Sequence, residues 1–302
     1  MRRVRISHWL AALLTLLAAN AAAAQDRARI VAVNYPLQYF AERLLGDEAE
    51  VVFPVPADVD PSFWRPAISD ISMIQSADLI LLNGAGFATW VDRVSLPRSR
   101  LVNTSAAIRD QFIVTESITH SHGDGGEHSH EGLASYTWLD PMLAIAQAEA
   151  IAGAIAGREL AQADAVYANF AELRSDLEQL DADAQAALAG AQDVPMIATH
   201  PRYQYLARRY DLSITSLEWE PGVMPTDAEL AELEALVAET GSRVLIWEAA
   251  PPPAAFEATA ALGLDNVVFN TLARGAADDG YIAAFDAAIA DLSDAVAQNP
   301  GN

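Results

Sequence analysis

The chain has 302 residues, 52% of them hydrophobic and 20% charged. That is room for about two domains and ample material for a core, and it excludes a disordered chain. Acidic residues number 41 against 18 basic ones, all Arg, and the formal net charge of −23 excludes a binder of phosphate backbones while favouring a cationic ligand. Cysteine is absent, so any metal must be held by His, Asp, Glu, Tyr or backbone oxygen.

Arg2, Arg3 and Arg5 precede an apolar run from Trp9 to Ala19, and Ala22-Ala23-Ala24 supplies small residues before Gln25. A basic segment, a short apolar core and an A-x-A site make residues 1–24 a secretory signal peptide. The apolar core is shorter than the about 20 residues of a membrane anchor. The expected product is a periplasmic protein, cleaved near Ala24 and exported across a bacterial inner membrane.

Ile30 to Val33 reads as a buried strand, followed by a helix from Leu37 to Leu45 and a second strand from Val51 to Val55. Ser69 to Ala77 is helix-like and Asp78 to Leu82 is a third strand. This alternation predicts a parallel α/β sheet whose ligands sit at the carboxyl ends of strands. Thr119 to Gly132 is polar and rich in His and Gly, a loop. Pro141 to Ala156 and Gln162 to Leu188 are helical, the second with Phe170, Leu173, Leu177, Leu180 and Ala184 on one face. The α/β pattern then restarts. Strands are expected at Met196 to Ala198, Ser213 to Leu217, Val244 to Trp247 and Val267 to Phe269. Helices are expected at Arg202 to Tyr210, Asp227 to Thr240 and Tyr281 to Ala297. The predicted fold is α/β, two lobes with parallel sheets joined by one long backbone helix. Expected boundaries are 25–160 for the first lobe, 161–190 for the connecting helix and 191–302 for the second lobe. No sequence repeat relates the lobes.

His120, His122, His128 and His130 fall within a run of twelve residues ending at Glu131, four of the six histidines in the chain. Imidazole suits transition metals, and H-x-H pairs on a Gly-rich loop chelate without a preformed cage. The bland alternative is a solvated loop that binds metals weakly; the density of His favours metal handling. His200 follows a predicted strand, a functional position in an α/β fold, although a lone His is as often a packing residue. Glu220 lies two residues beyond Glu218 in a segment that, if extended, turns both to one side. Glu248 follows another predicted strand. Both could complete a His-containing metal site, and both could equally be solvated or capping groups. The Asn83-Gly84-Ala85-Gly86 turn lacks the partners of a phosphate site. Neither G-x-S-x-G nor H-E-x-x-H is present, which argues against an enzyme, including a metal-dependent hydrolase built on His200.

Taken in order, several segments resemble one family, the periplasmic solute-binding proteins of zinc- and manganese-type ABC importers (the cluster A-I metal-binding family). Asp60-Pro61 to Pro66 resembles that family's D-P-H-x-x-x-P segment, Ala77 to Gly86 its strand-and-turn signature, and the histidine-rich loop its metal-rich loop. Trp138-Leu139-Asp140-Pro141 is similar to its W-L-D-P motif, Tyr167 to Leu188 to its backbone helix, and His200 with Tyr205 and Tyr210 to its third ligand segment. The resemblance implies a two-lobed metal-binding protein that serves an inner-membrane ABC permease, with Zn2+ as the expected cargo and Mn2+ or another transition metal as the other candidates. A monomer is expected, and no nucleic-acid partner.

The family's ligand positions are largely replaced. Ser62 stands where its first His would be, Tyr136 where its second would be, and Asn270 near its final carboxylate; His200 alone remains. One His cannot hold zinc, which takes three or four N, O or S ligands. Two repairs follow. In the favoured one, loop His residues fold over the cleft and join His200 with Glu220 or Glu248. Six residues separate the loop from Tyr136, a reach of roughly 20 Å. In the other, Ser62, Trp64, Arg65 and Tyr136 line a cleft for a chelated metal or a small organic ligand.

Overall fold

A computed structural model describes residues 27–115, 132–276 and 280–299. The leader and the four loop histidines lie outside the described residues.

Strands β1 (Ala28–Ala32), β2 (Ala49–Val52), β3 (Leu79–Leu82) and β4 (Leu101–Asn103) form an all-parallel sheet in the order β2-β1-β3-β4. Their continuous Val, Ile and Leu runs suit a sheet covered on both faces. The second expected strand stops at Val52 instead of Val55, because Pro54 and Pro56 cannot donate to a ladder. The loop it enters carries Asp60 and Ser62. A short antiparallel pair, β5 (Val114–Thr115) with β6 (Gly132–Leu133), follows. Gly132, expected in the loop, therefore belongs to a strand.

β7 (Pro195–Ala198), β8 (Ser213–Ser216), β9 (Val244–Trp247) and β10 (Asp265–Val268) form the second parallel sheet in the order β8-β7-β9-β10. Read from the second strand of each set, the two sheets share one strand order. The lobes are thus repeats of architecture without repeating sequence. In both, the order reverses beside the first strand, and that switch point is where open α/β sheets bind ligands. Asn34 follows β1 there and Asn83 follows β3; His200 and Glu248 follow β7 and β9.

Helix α1 (Tyr35–Leu45) opens with Pro36 in its first turn and with the Asn34 side chain accepting from the Leu37 amide at 3.1 Å. Helix α2 spans Ile68–Ser76. Helix α3 (Pro141–Gly157) starts the same way as α1, with Asp140 accepting from Met142 N at 3.0 Å. The next helix, α4 (Ala163–Ala187), has 25 residues and runs about 37 Å. It buries Val166, Leu173, Leu177, Leu180 and Ala184 along one side, while Phe170 is half-buried. That side packs on α1, on α3 and on the helix at Gly280–Gln298, so one helix touches both lobes.

Helix α5 begins at Gln204 and ends at Tyr210. The expected start at Arg202 is corrected: Arg202 lies in a turn ahead of the helix. The Arg202 amide instead donates to the His200 carbonyl at 2.9 Å, in a tight turn. That turn puts Arg202 in the cleft. Helix α6 (Asp227–Thr240) carries a Thr226–Glu229 capping box and ends at Gly241 with φ of +71°. Strand β4 and helix α7 (Pro253–Ala260) are additions to the sequence reading, and α8 (Gly280–Gln298) ends the described chain.

One core cluster runs through both lobes, and hydrogen bonds sew them together. Trp138 Nε1 donates to the Thr271 carbonyl at 2.7 Å and Tyr281 OH to the Trp138 carbonyl at 2.6 Å. Tyr35 N donates to the Ala273 carbonyl at 3.0 Å and Tyr205 OH to the Ala134 carbonyl at 3.0 Å.

Candidate functional site in the interlobe cleft

β7 ends at Ala198, and its last turn is fastened to both neighbouring strands: Thr199 N donates to Ile246 O at 2.8 Å and Trp219 N to Thr199 O at 2.8 Å. This holds His200 at the carboxyl edge of the sheet. Its Nδ1 lies 2.7 Å from the Trp219 carbonyl. A carbonyl oxygen only accepts, so Nδ1 carries the proton and Nε2 is left as the basic nitrogen. Burial, and then the nearby Arg202 cation, push the His200 pKa below its ordinary value. The ring is therefore neutral at pH 7, in the form that binds metals.

Glu248 follows β9 and is 5% exposed, and burial pushes its pKa up. The Thr271 hydroxyl donates to its Oε1 at 3.4 Å. Asp60 comes from the other lobe, where its Oδ1 accepts from Ser62 N at 2.8 Å and Ser62 Oγ at 2.6 Å. That pair of hydrogen bonds holds the Asp60 carboxylate and leaves Oδ2 to the cleft.

Arg202 lies between them. Its Nη2 is 3.4 Å from Asp60 Oδ2 and its Nε 3.6 Å from Glu248 Oε2, and its guanidinium carbon stands 4.7 Å over the Tyr136 ring. Burial disfavours the charge of Arg202, but Tyr136, Glu248 and Asp60 outweigh it and its pKa is raised. The Phe63 ring lies 5.8 Å away on the outer side. Arg202 Nε, Glu248 Oε2 and the Tyr136 hydroxyl are all buried without a hydrogen bond.

The sequence-derived candidates divide accordingly. Ser62, Tyr136, His200 and Glu248 meet at the cleft. Glu220 does not: β8 ends at Ser216, and both Glu218 and Glu220 are exposed. Asn270 is exposed too and spends its Oδ1 on the Leu272 amide at 2.7 Å, as a turn residue. Trp64 and Arg65 line a cavity of about 430 Å³ with Phe63, Trp90 and Arg93, built without any residue of the second sheet. Trp64 meets Trp90 edge-on there, ring centroids 5.5 Å apart. Among the described residues no three His, Asp or Glu side chains form a ready-made metal cage. Asp60 and Arg202 also stand in the cleft and were not among the sequence-derived candidates. The available signal was a lone cation two positions after His200, at a strand end, in a strongly acidic chain.

Two parallel-sheet lobes on one backbone helix, with a ligand cleft at matching switch points, define the class: a two-lobed solute-binding protein. The family profile described as "Zinc-uptake complex component A periplasmic" matches residues 30–295, and the chain belongs to that family. It is 26% identical over 253 residues to the high-affinity zinc uptake system protein ZnuA of Bacillus subtilis, covering 82% of this chain and 79% of that protein. It is 27% identical over 246 residues to the zinc-binding lipoprotein AdcA of Streptococcus pneumoniae, covering 79% of this chain and 48% of AdcA, so it spans about half of that relative. The fold matches the crystal structure of the metal-dependent lipoprotein YcdH from B. subtilis with a TM-score of 0.75 at 24% identity, covering 89% of this chain and 99% of that one.

Proposed function

We propose that this chain is the periplasmic solute-binding component of an ABC importer, capturing zinc and presenting it to an inner-membrane permease as a monomer, without catalysis. Family membership supports the reading, as do relatives named for zinc uptake and zinc binding. The observation that carries it is His200: half-buried at the switch point, neutral, with its Nδ1–H committed to the Trp219 carbonyl and Nε2 available as a ligand. A backbone carbonyl behind a ligating imidazole is the usual device for fixing its tautomer and direction.

Zinc takes three or four such ligands. In this reading the cleft supplies His200 with Glu248 and Asp60 nearby, and His120, His122, His128 and His130 supply the remaining imidazoles. Affinity then comes from neutral imidazole and carboxylate, so acidification releases the metal. Among the described residues no helix is long and apolar enough to cross a membrane. The second reading, a chelated metal or small organic ligand, draws on Arg202, whose cation suits a ligand of lower charge than a bare ion.

Zinc titration against a competing chelator tests the reading on the full mature chain, on a deletion of residues 120–131 and on His200→Ala. One tight equivalent, weakened by either change, is the expected result. A full-strength site in both variants would remove His200 and the loop from the ligand set, and no tight binding in the parent would overturn zinc capture.

A further inference from the structure

Arg202 is the feature of the cleft that zinc capture leaves unexplained. Asp60 and Glu248, the two carboxylates that could join His200 on a divalent ion, both face the Arg202 guanidinium. Asp60 belongs to the first lobe; Glu248 and Arg202 belong to the second. The guanidinium lies 3.4 Å from one carboxylate and 3.6 Å from the other, with the Tyr136 ring 4.7 Å beneath it. Its side chain is only 12% exposed.

The fit is incomplete. A guanidinium in its preferred geometry makes paired, short bonds to carboxylate. Here Nε and Glu248 Oε2 form an ion pair at 3.6 Å, too long for a good hydrogen bond, and the Tyr136 hydroxyl is buried without a hydrogen bond as well. Buried polar atoms in that state cost free energy, and a better-placed partner recovers it. The carboxylates are poised for a ligand that meets them more closely than the arginine does.

We propose that Arg202 is a resident cation of the interlobe cleft, occupying the position of a bare divalent ion between Asp60 and Glu248 and setting the affinity and selectivity of the cleft by competing for those carboxylates. The inference rests on the zinc-capture reading and adds a specificity-determining residue to it. Zinc entering beside His200 must displace the guanidinium, or bind against a positive charge at contact range. Either way the apparent affinity falls by about tenfold or more, since like charges a few Å apart repel strongly even at the effective dielectric of a protein surface.

The test is chelator-competition zinc titration of the parent chain, Arg202→Gln, Arg202→Met, Arg202→Lys and the double variant Arg202→Gln/Glu248→Gln, each checked for native circular dichroism and a cooperative melt. Gln and Met are both used because either alone could disturb the cleft. The expected result is that both bind zinc at least tenfold more tightly than the parent. Lys, which keeps the charge, gains less than Gln, and the double variant loses most of the gain. Folded Gln and Met variants that bind zinc no more tightly than the parent overturn the inference while leaving zinc capture standing. Binding by the Gln variant but not by the parent upholds the inference and overturns zinc capture by the natural chain. No binding in any form overturns both.

Discussion

Two arginines sit between two carboxylates in this molecule, and they are used differently. Arg209, on α5, donates from Nε to Asp181 Oδ1 at 2.7 Å and from Nη2 to Asp181 Oδ2, a two-pronged bond onto the connecting helix α4. Its second carboxylate, Asp140 at the start of α3, is 4.0 Å away. Gln185 donates to Asp181 at 2.7 Å and Tyr210 OH at 3.3 Å, so that carboxylate is fully engaged. Arg202 has no two-pronged bond of that kind: it stands 3.4 Å and 3.6 Å from its two carboxylates, and three buried polar atoms of the cluster make no hydrogen bond. The first cluster closes on itself and fixes where the connecting helix meets the second lobe. The second is polar, buried and unfinished, which is what a site made for something else to enter requires.

The contrast can be broken or sharpened by substitution. Arg209→Ala should cost about 3–5 kcal/mol in denaturant melts, since it strands a buried carboxylate. Zinc affinity of the folded protein should not change; a large loss of zinc binding would erase the distinction between the clusters. His200→Ala should do the reverse, lowering zinc affinity by about a hundredfold or more with little change in the melting temperature, consistent with a ligand and not a packing residue. Arg202→Met comes next. It should destabilise the fold by about 1–3 kcal/mol, less than Arg209→Ala, because the bonds it removes are long and partly unmade. Equal costs at the two arginines would mean that the cleft cluster is as structural as the other.

The smallest expected effect is on pH dependence. The His200 pKa is depressed in the fold, so below the unfolded value of about 6.5 the unfolded chain binds more protons and stability falls with pH. Glu248 has a raised pKa, so its contribution runs the other way, growing as pH falls toward the ordinary carboxylate range. Urea melts of the parent, His200→Gln and Glu248→Gln between pH 4 and 7 (about the span of these groups) separate the two slopes. His200→Gln should flatten the loss below about 6.5, and Glu248→Gln should remove the opposing gain. Unchanged slopes in both variants would contradict the assignments.

How much of this was legible follows from what sequence patterns encode. Helix α6 and strand β9 fall at their expected bounds because a Thr-x-x-Glu box, a closing Gly and a bounded run of Val, Leu, Ile and Trp are local signals. The connecting helix was equally readable from its apolar face. β4, with three residues, was too short to show a period. His200 and Glu248 were placed at the cleft correctly because both follow strands of a parallel sheet, and strand ends are legible in sequence. Glu220 and Asn270 were over-read: their place depends on where the chain turns after β8 and β10, and no local pattern sets that. Arg202 was hidden for a related reason. It looked like the first residue of a helix, and only the turn made by His200 and Pro201 sends its side chain into the cleft between Asp60 and Glu248, more than a hundred residues from the first of them.

The central claim is that zinc is taken up at His200 Nε2, with Nδ1–H held by the Trp219 carbonyl. The most direct measurement is long-range 1H–15N NMR of the histidine side chains in the parent, assigned against His200→Ala, before and after one equivalent of zinc. The account predicts an Nδ1–H tautomer for His200 in the free protein and a large shift of its Nε2 resonance with zinc. Zinc binding that leaves His200 Nε2 unmoved would contradict it.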